Sequence, residues 1–155
     1  MADVGDLWRR EPVSEDTGPP AEEGPEFEFS AELIEHVRQP RFHGQMLDAD
    51  ARAMVTGPCQ DTMAFFLRLD HGRIGVACFD TDGCAFTLAC GSKLATMVQG
   101  QLLIEAASIE PKHLEAALGG LPADHQHCAD LAVATLRRAI ADYVQRDEDA
   151  PPMEA

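Results

Sequence analysis

Apolar residues first fall into a regular period at Ser30. Leu33, Ile34 and Val37 recur at helical spacing behind a residue suited to capping a helix, and Pro40 closes the segment. Residues 51–56 have a weaker strand pattern. The runs 62–69 (TMAFFLRL) and 74–79 (IGVACF) flank Asp70-His71-Gly72-Arg73, which predicts an antiparallel hairpin. A helix is expected from about Cys84, with Leu88, Gly91, Ala95 and Val98 three and four apart, ending at Gly100. A short helix follows over 102–107. Another begins at Pro111, presents Leu114 and Leu118, and stops at Gly119-Gly120. The last helix is expected over 124–145, with Ala129, Ala132, Leu136, Ile140 and Tyr143 along one stripe. Strands precede helices, so the expected fold class is α+β: a small antiparallel sheet of about three strands, with the helices packed on one face.

Charge marks the boundaries of this domain. Residues 1–29 carry nine acids and two bases, a net of −7, together with Pro12, Pro19, Pro20 and Pro25. Such a stretch buries too little apolar surface to offset its ordering entropy, so an acidic disordered arm is expected there. An acidic docking tail is its functional alternative. Residues 147–155 add four acids and no base, which leaves −4 of the total −15 for a folded domain over 30–146. The overall −15 argues against a nucleic acid or anionic lipid partner, both of which need basic patches. With no apolar run of about 18 residues and no basic-then-apolar N-terminal layout, a membrane span and an export signal are not expected. Five cysteines in that setting are expected to be reduced thiols in a cytoplasm.

Three of those cysteines stand at element boundaries. Cys59 lies in the loop Thr56-Gly57-Pro58-Cys59-Gln60-Asp61 before a strand. Cys84 follows Thr81-Asp82-Gly83 at the start of a helix, and Cys128 follows His127 in the first turn of the last helix. Helix N-termini favour thiolate over thiol at Cys84 and Cys128. With Asp61 two residues from Cys59, the inventory is three thiolates, a carboxylate and an imidazole, a donor set suited to zinc, iron or an iron–sulfur cluster. No CxxC or HxxxH is present, and three scattered cysteines also fit buried core thiols, with His125 and His127 as cap or surface residues. On the residues alone, both readings stand. Cys78 and Cys90 are expected to be core thiols, since Cys78 lies between apolar neighbours in a strand and Cys90 sits about 120° around the helix from Cys84. His36, His43, His71 and His113 are expected at exposed helix or turn positions.

Taken together, these segments resemble the IscU/NifU N-terminal iron–sulfur cluster assembly scaffolds. The matching stretches run from Leu33 through Pro40-Arg41 to Gly44, then Gly57-Pro58-Cys59-Gln60-Asp61, Phe79-Asp80-Thr81-Asp82-Gly83-Cys84 and Gln126-His127-Cys128. Val98-Gln99-Gly100-Gln101 and Ala139-Ile140-Ala141-Asp142-Tyr143 extend the likeness, which covers about residues 30–145 in order. The resemblance implies that Cys59, Asp61, Cys84, His127 and Cys128 are the metal- and cluster-binding positions, with Cys128 as sulfur acceptor. It further implies a transient [2Fe–2S] cluster, iron, and zinc as an ion that readily occupies such thiolate-rich sites. The implied partners are a cysteine desulfurase and apo iron–sulfur proteins, with the chain a carrier rather than an enzyme and a monomer or weak homodimer.

Two departures bear on these expectations. The family's glycine between the first cysteine and the aspartate is Gln60 here, which removes backbone freedom from the loop. The family's Leu-Pro-Pro-Val-Lys segment, which serves a dedicated Hsp70-type chaperone, is Leu121-Pro122-Ala123-Asp124-His125, so that partnership is not carried over and His125 stands where the lysine would. A zinc-bound SufU-like sulfur acceptor is the main alternative, although the 44-residue interval from Cys84 to Cys128 lacks the insertion typical of that branch. A desulfurase-binding regulator that no longer builds clusters is the third reading, with Gln60 as its lesion.

Overall fold

The computed structural model describes residues 29–149, so the expected acidic arm and most of the acidic tail lie outside the described residues. The element order is α1 (Ala31–Arg38), β1 (Ala51–Thr56), β2 (Thr62–Asp70), β3 (Arg73–Thr81), α2 (Ala85–Val98), α3 (Leu103–Ala107), α4 (Pro111–Ala117), a 3-10 turn (Ala123–His125) and α5 (His127–Asp149). The strands form an antiparallel meander, β1-β2-β3, with α1 before it and the other helices after it, an α+β fold as expected.

Local chemistry explains most of the boundaries. Ser30 caps α1: its Oγ accepts from the Leu33 N–H at 2.9 Å and donates to the Leu118 carbonyl, tying α1 to the end of α4. β2 and β3 join through a two-residue turn in which His71 (φ 52°) and Gly72 (φ 80°) are both left-handed, the combination that suits the right-handed twist of a hairpin. α5 starts at His127, later than the expected 124, because the preceding residues wind as a 3-10 turn. It also runs past 145 and the expected boundary at 147 to Asp149. Arg146 helps hold those last turns, pairing with Asp142 at 3.3 Å and donating to the Asp50 carbonyl at 2.7 Å.

One sheet face carries Met63, Phe65, Leu67, Ile74, Ala77 and Phe79, all fully buried under the helices. α2 packs on β3, while α5 crosses β1 and β2. α2 lies between the sheet, α1 and α5, so its burial extends well beyond the expected stripe to Ala89, Cys90, Ser92 and Leu94. Gly91 permits its closest approach, since a Cβ there would stand 2.4 Å from the Phe79 ring.

Two expectations fail here for identifiable reasons. His36 is buried, whereas Ile34 is exposed. The ring satisfies both its nitrogens, Nδ1 against Ser92 Oγ at 2.6 Å and Nε2 against Glu32 at 3.2 Å, so it can occupy a core position of α1. Cys78 is half-buried on the opposite sheet face from Ala77 and Phe79, paired across from Phe66. Its apolar sequence neighbours point the other way because side chains alternate along a strand. Cys90 is a fully buried core thiol, as expected.

Candidate metal and cluster site

Sheet register assembles the site. The pairs Thr56↔Thr62 and Met63↔Thr81 put the β1–β2 loop and the exit of β3 at the same end of the sheet, opposite the His71-Gly72 turn. α2 starts immediately after that exit, and α5 begins beside it. Cys59 and Asp61 come from the loop, Cys84 from the residue before α2, and His127 and Cys128 from the first turn of α5.

Pro58, Cys59 and Gln60 form a three-residue hairpin loop. It is closed by the Gly57 N–H to the Asp61 carbonyl at 2.8 Å and the Gln60 N–H to the Gly57 carbonyl at 3.0 Å. Such loops end on a left-handed residue, ordinarily glycine. Gln60 takes that role at φ 72°, which explains the structural demand behind the family's glycine at this position. At the other side of the site, a Cβ on Gly83 would stand 2.8 Å from Asp61 Oδ2 and from Thr87 Cβ, so only glycine lets the carboxylate approach.

The five expected site residues lie in one continuous set of contacts. Cys59 Sγ is 3.0 Å from His127 Nε2, and the same nitrogen is 3.8 Å from Cys128 Sγ. Thr87 connects the remainder: its Oγ1 lies 3.0 Å from Asp61 Oδ2, 3.3 Å from Cys128 Sγ and 3.5 Å from Cys84 Sγ. Cys59 and Cys84 are exposed, Asp61 and His127 are half-buried, and Cys128 is buried.

Two contributors escaped the sequence expectations. Thr87 sits at the third position of α2, and an i to i+3 spacing from Cys84 at the cap is the signal that would have found it. His125 was read as a replacement for a lysine, yet one of its ring nitrogens lies within 4.8 Å of both Cys84 Sγ and Cys128 Sγ. Its ring is stacked on Phe86, with centroids 4.2 Å apart.

The thiols respond differently to this environment. Burial raises the Cys84 thiol, but the Thr87 hydroxyl and the N–H groups of Thr87 and Phe86 outweigh it, leaving Cys84 below the ordinary thiol value. That agrees with the expected effect of a helix N-terminus. Cys128 departs from it: burial, together with the neighbouring charge of Cys84 and Asp61, pushes its thiol up to about 12 despite the Thr87 hydroxyl. The helix terminus is overridden because Cys128 points into the core. Burial also raises Cys78, and Cys90 more strongly. Only loss of these thiol protons would leave three sulfurs and a carboxylate short of positive charge, a state that a divalent ion would stabilise.

Residues 28–150 match the family model described as the NifU-like N terminal domain. The chain is 37% identical over 120 residues to iron-sulfur cluster assembly scaffold protein IscU 1 of Archaeoglobus fulgidus, covering 77% of this chain and 78% of that one. To the IscU scaffold protein of Aquifex aeolicus it is 32% identical over 123 residues, covering 77% and 78%. Among solved structures, the putative scaffold protein for the SUF system from Fervidobacterium islandicum AW-1 superposes with a TM-score of 0.61 at 18% identity, covering 72% of this chain and 96% of that one. The N-terminal NifU-like protein of Brucella abortus gives 0.55 at 23% identity, covering 79% and 95%. These two likenesses establish the shared fold. Among the described residues, no helix is long and apolar enough to cross a membrane.

Proposed function

Because the chain belongs to the NifU-like N-terminal domain family, we propose that it is an iron–sulfur cluster assembly scaffold, a carrier on which a transient [2Fe–2S] cluster is built and from which it passes to apo-proteins. The observation that carries this reading is the convergence of Cys59, Asp61, Cys84, His127 and Cys128 from three separate chain segments at one end of the sheet. Thiolates suit cluster iron, and the carboxylate and imidazole complete a mixed donor set.

Sulfur arrives from a cysteine desulfurase as a persulfide. Cys128 Sγ attacks the terminal sulfur, the desulfurase cysteine leaves as thiolate, and the Cys128 proton passes to His127, whose Nε2 lies 3.8 Å away. Converting the new persulfide to sulfide takes two electrons from a separate donor. Iron, as substrate, is held by Cys59, Cys84, His127 and Asp61 while sulfide forms. The chain acts in the cytoplasm, as a monomer or weak homodimer.

Anaerobic reconstitution with desulfurase, cysteine and ferrous iron tests this reading. A cluster with visible absorbance that transfers to an apo-ferredoxin is the expected result. Tight stoichiometric zinc with faster cysteine turnover, and no cluster, would replace it by the zinc-bound sulfur acceptor. The mononuclear-sized group of Cys84, His125 and Cys128 is the feature that favours this second reading.

A further inference from the structure

His125 has two properties that packing alone leaves unexplained. Its Nδ1 is buried without a hydrogen-bond partner, one of only two such side-chain atoms among the described residues. A buried imidazole nitrogen in that state costs free energy unless something else satisfies it. The ring also sits on two thiols, with a nitrogen within 4.8 Å of Cys84 Sγ and Cys128 Sγ, which are themselves no farther apart than that. Its other nitrogen, Nε2, lies 4.0 Å from the Asp124 carboxylate. A metal-binding histidine likewise keeps a ring nitrogen free of hydrogen bonds for the ion. The stacked Phe86 ring restrains the His125 ring.

The remaining imidazole is engaged elsewhere. His127 Nε2 is 3.0 Å from Cys59 Sγ, its nearest sulfur, and 3.8 Å from Cys128 Sγ. The contacts thus fall into two groups that meet at His127 and Cys128. Cys84, Cys128 and His125 form one half, and Cys59 with His127 forms the other.

We propose that His125 is a metal ligand of this chain, and that before sulfur arrives Cys84, Cys128 and His125 seat the first divalent ion, zinc or ferrous iron, leaving Cys59, Asp61 and His127 for the second. This rests on the assignment of this end of the sheet as the metal and cluster site, and adds a ligand at the position where the family carries lysine. Three protein donors are the number that leaves a fourth position open in a tetrahedral zinc site. As the ion binds, each protonated thiol releases its proton to solvent and no electrons move.

The experiment is nitrogen-15 NMR of the histidine rings in the full chain, before and after one equivalent of zinc, paired with zinc titration against a chromophoric chelator. The expected result is a large shift of a His125 ring-nitrogen resonance. His125→Ala and His125→Lys, with unchanged circular dichroism melts in the absence of metal, should bind zinc more weakly by at least the roughly 10–100-fold that loss of a ligand-orienting group brings. A shift confined to His127, with unchanged affinity in both variants, overturns the inference while leaving the site in place. Failure of the wild-type chain to bind zinc overturns the inference and the site assignment together.

Discussion

Thr87 Oγ1 donates to Asp61 Oδ2 at 3.0 Å, joining the first turn of α2 to the tip of the β1–β2 hairpin. The residues are 26 positions apart, and their bond is one of the links that hold the cysteine-bearing loop over the helix that carries Cys84. The hydroxyl is fully buried and has two sulfurs within reach as well.

Thr87→Val keeps the shape and removes the hydroxyl. The loss of a hydrogen bond to a carboxylate should cost about 1.5–3 kcal/mol, read from urea unfolding of the metal-free chain. The Cys84 thiol should also titrate higher, since the Thr87 hydroxyl is among the groups that hold it down. Rates of alkylation against pH measure that shift. An unchanged Cys84 titration would mean that the helix N–H groups alone set it.

His36 should make the metal-free chain sensitive to mild acid. Burial lowers its affinity for a proton, against the opposing pull of Glu32, while Lys93 and Arg41 add to the lowering. The unfolded chain, with an ordinary histidine near 6.5, therefore binds more protons than the folded one. Stability from this group is complete above about 6.5 and falls as the pH drops from there toward the lower folded value. Urea midpoints should decline from pH 7.5 to 5.5, and His36→Gln should flatten that slope. Equal slopes in the two proteins would exclude His36 as the source.

Gln60 holds a left-handed backbone at φ 72°. Gln60→Gly removes a cost of about 1–2 kcal/mol in the folded state, partly offset by the roughly 0.5–1 kcal/mol of extra backbone entropy that glycine loses on folding. Stability should rise by roughly 0–1.5 kcal/mol. The Cys59 loop should become freer, so zinc release to a chelator should accelerate several-fold. Slower release would show that the loop's mobility does not control exchange.

In the proposed site, Asp61 is the donor with the weakest claim on iron. A carboxylate binds cluster iron less covalently than thiolate does and yields to an incoming thiol. Asp61→Ala should give a longer-lived cluster and slower transfer to an apo-ferredoxin, followed through visible absorbance and transfer rate. Faster cluster loss in the variant would make Asp61 a holding ligand.

What the chain's pattern determined alone was everything governed by local spacing. Ser30 as a cap, Gly119-Gly120 as a stop, His71-Gly72 as a turn, and three consecutive strands followed by most of the helices follow from short-range backbone chemistry, and the structure contains each of them. Cys59, Cys84 and Cys128 stood out because each lies at an element boundary. Tertiary structure decided the rest, because it depends on which faces meet. His36 is buried because Ser92, 56 residues away, offers it a hydrogen bond. Cys78 leaves the core because the pleat turns it toward the face opposite Phe79. Cys128 loses the advantage of its helix terminus because the packed core buries it, with the neighbouring charge of Cys84 and Asp61 adding to the effect and the Thr87 hydroxyl only partly opposing it. Thr87 and His125 join the cluster only when the start of α2 and the 3-10 turn are brought against the start of α5, a juxtaposition set by side-chain packing across the sheet and not by the spacing of residues along the chain.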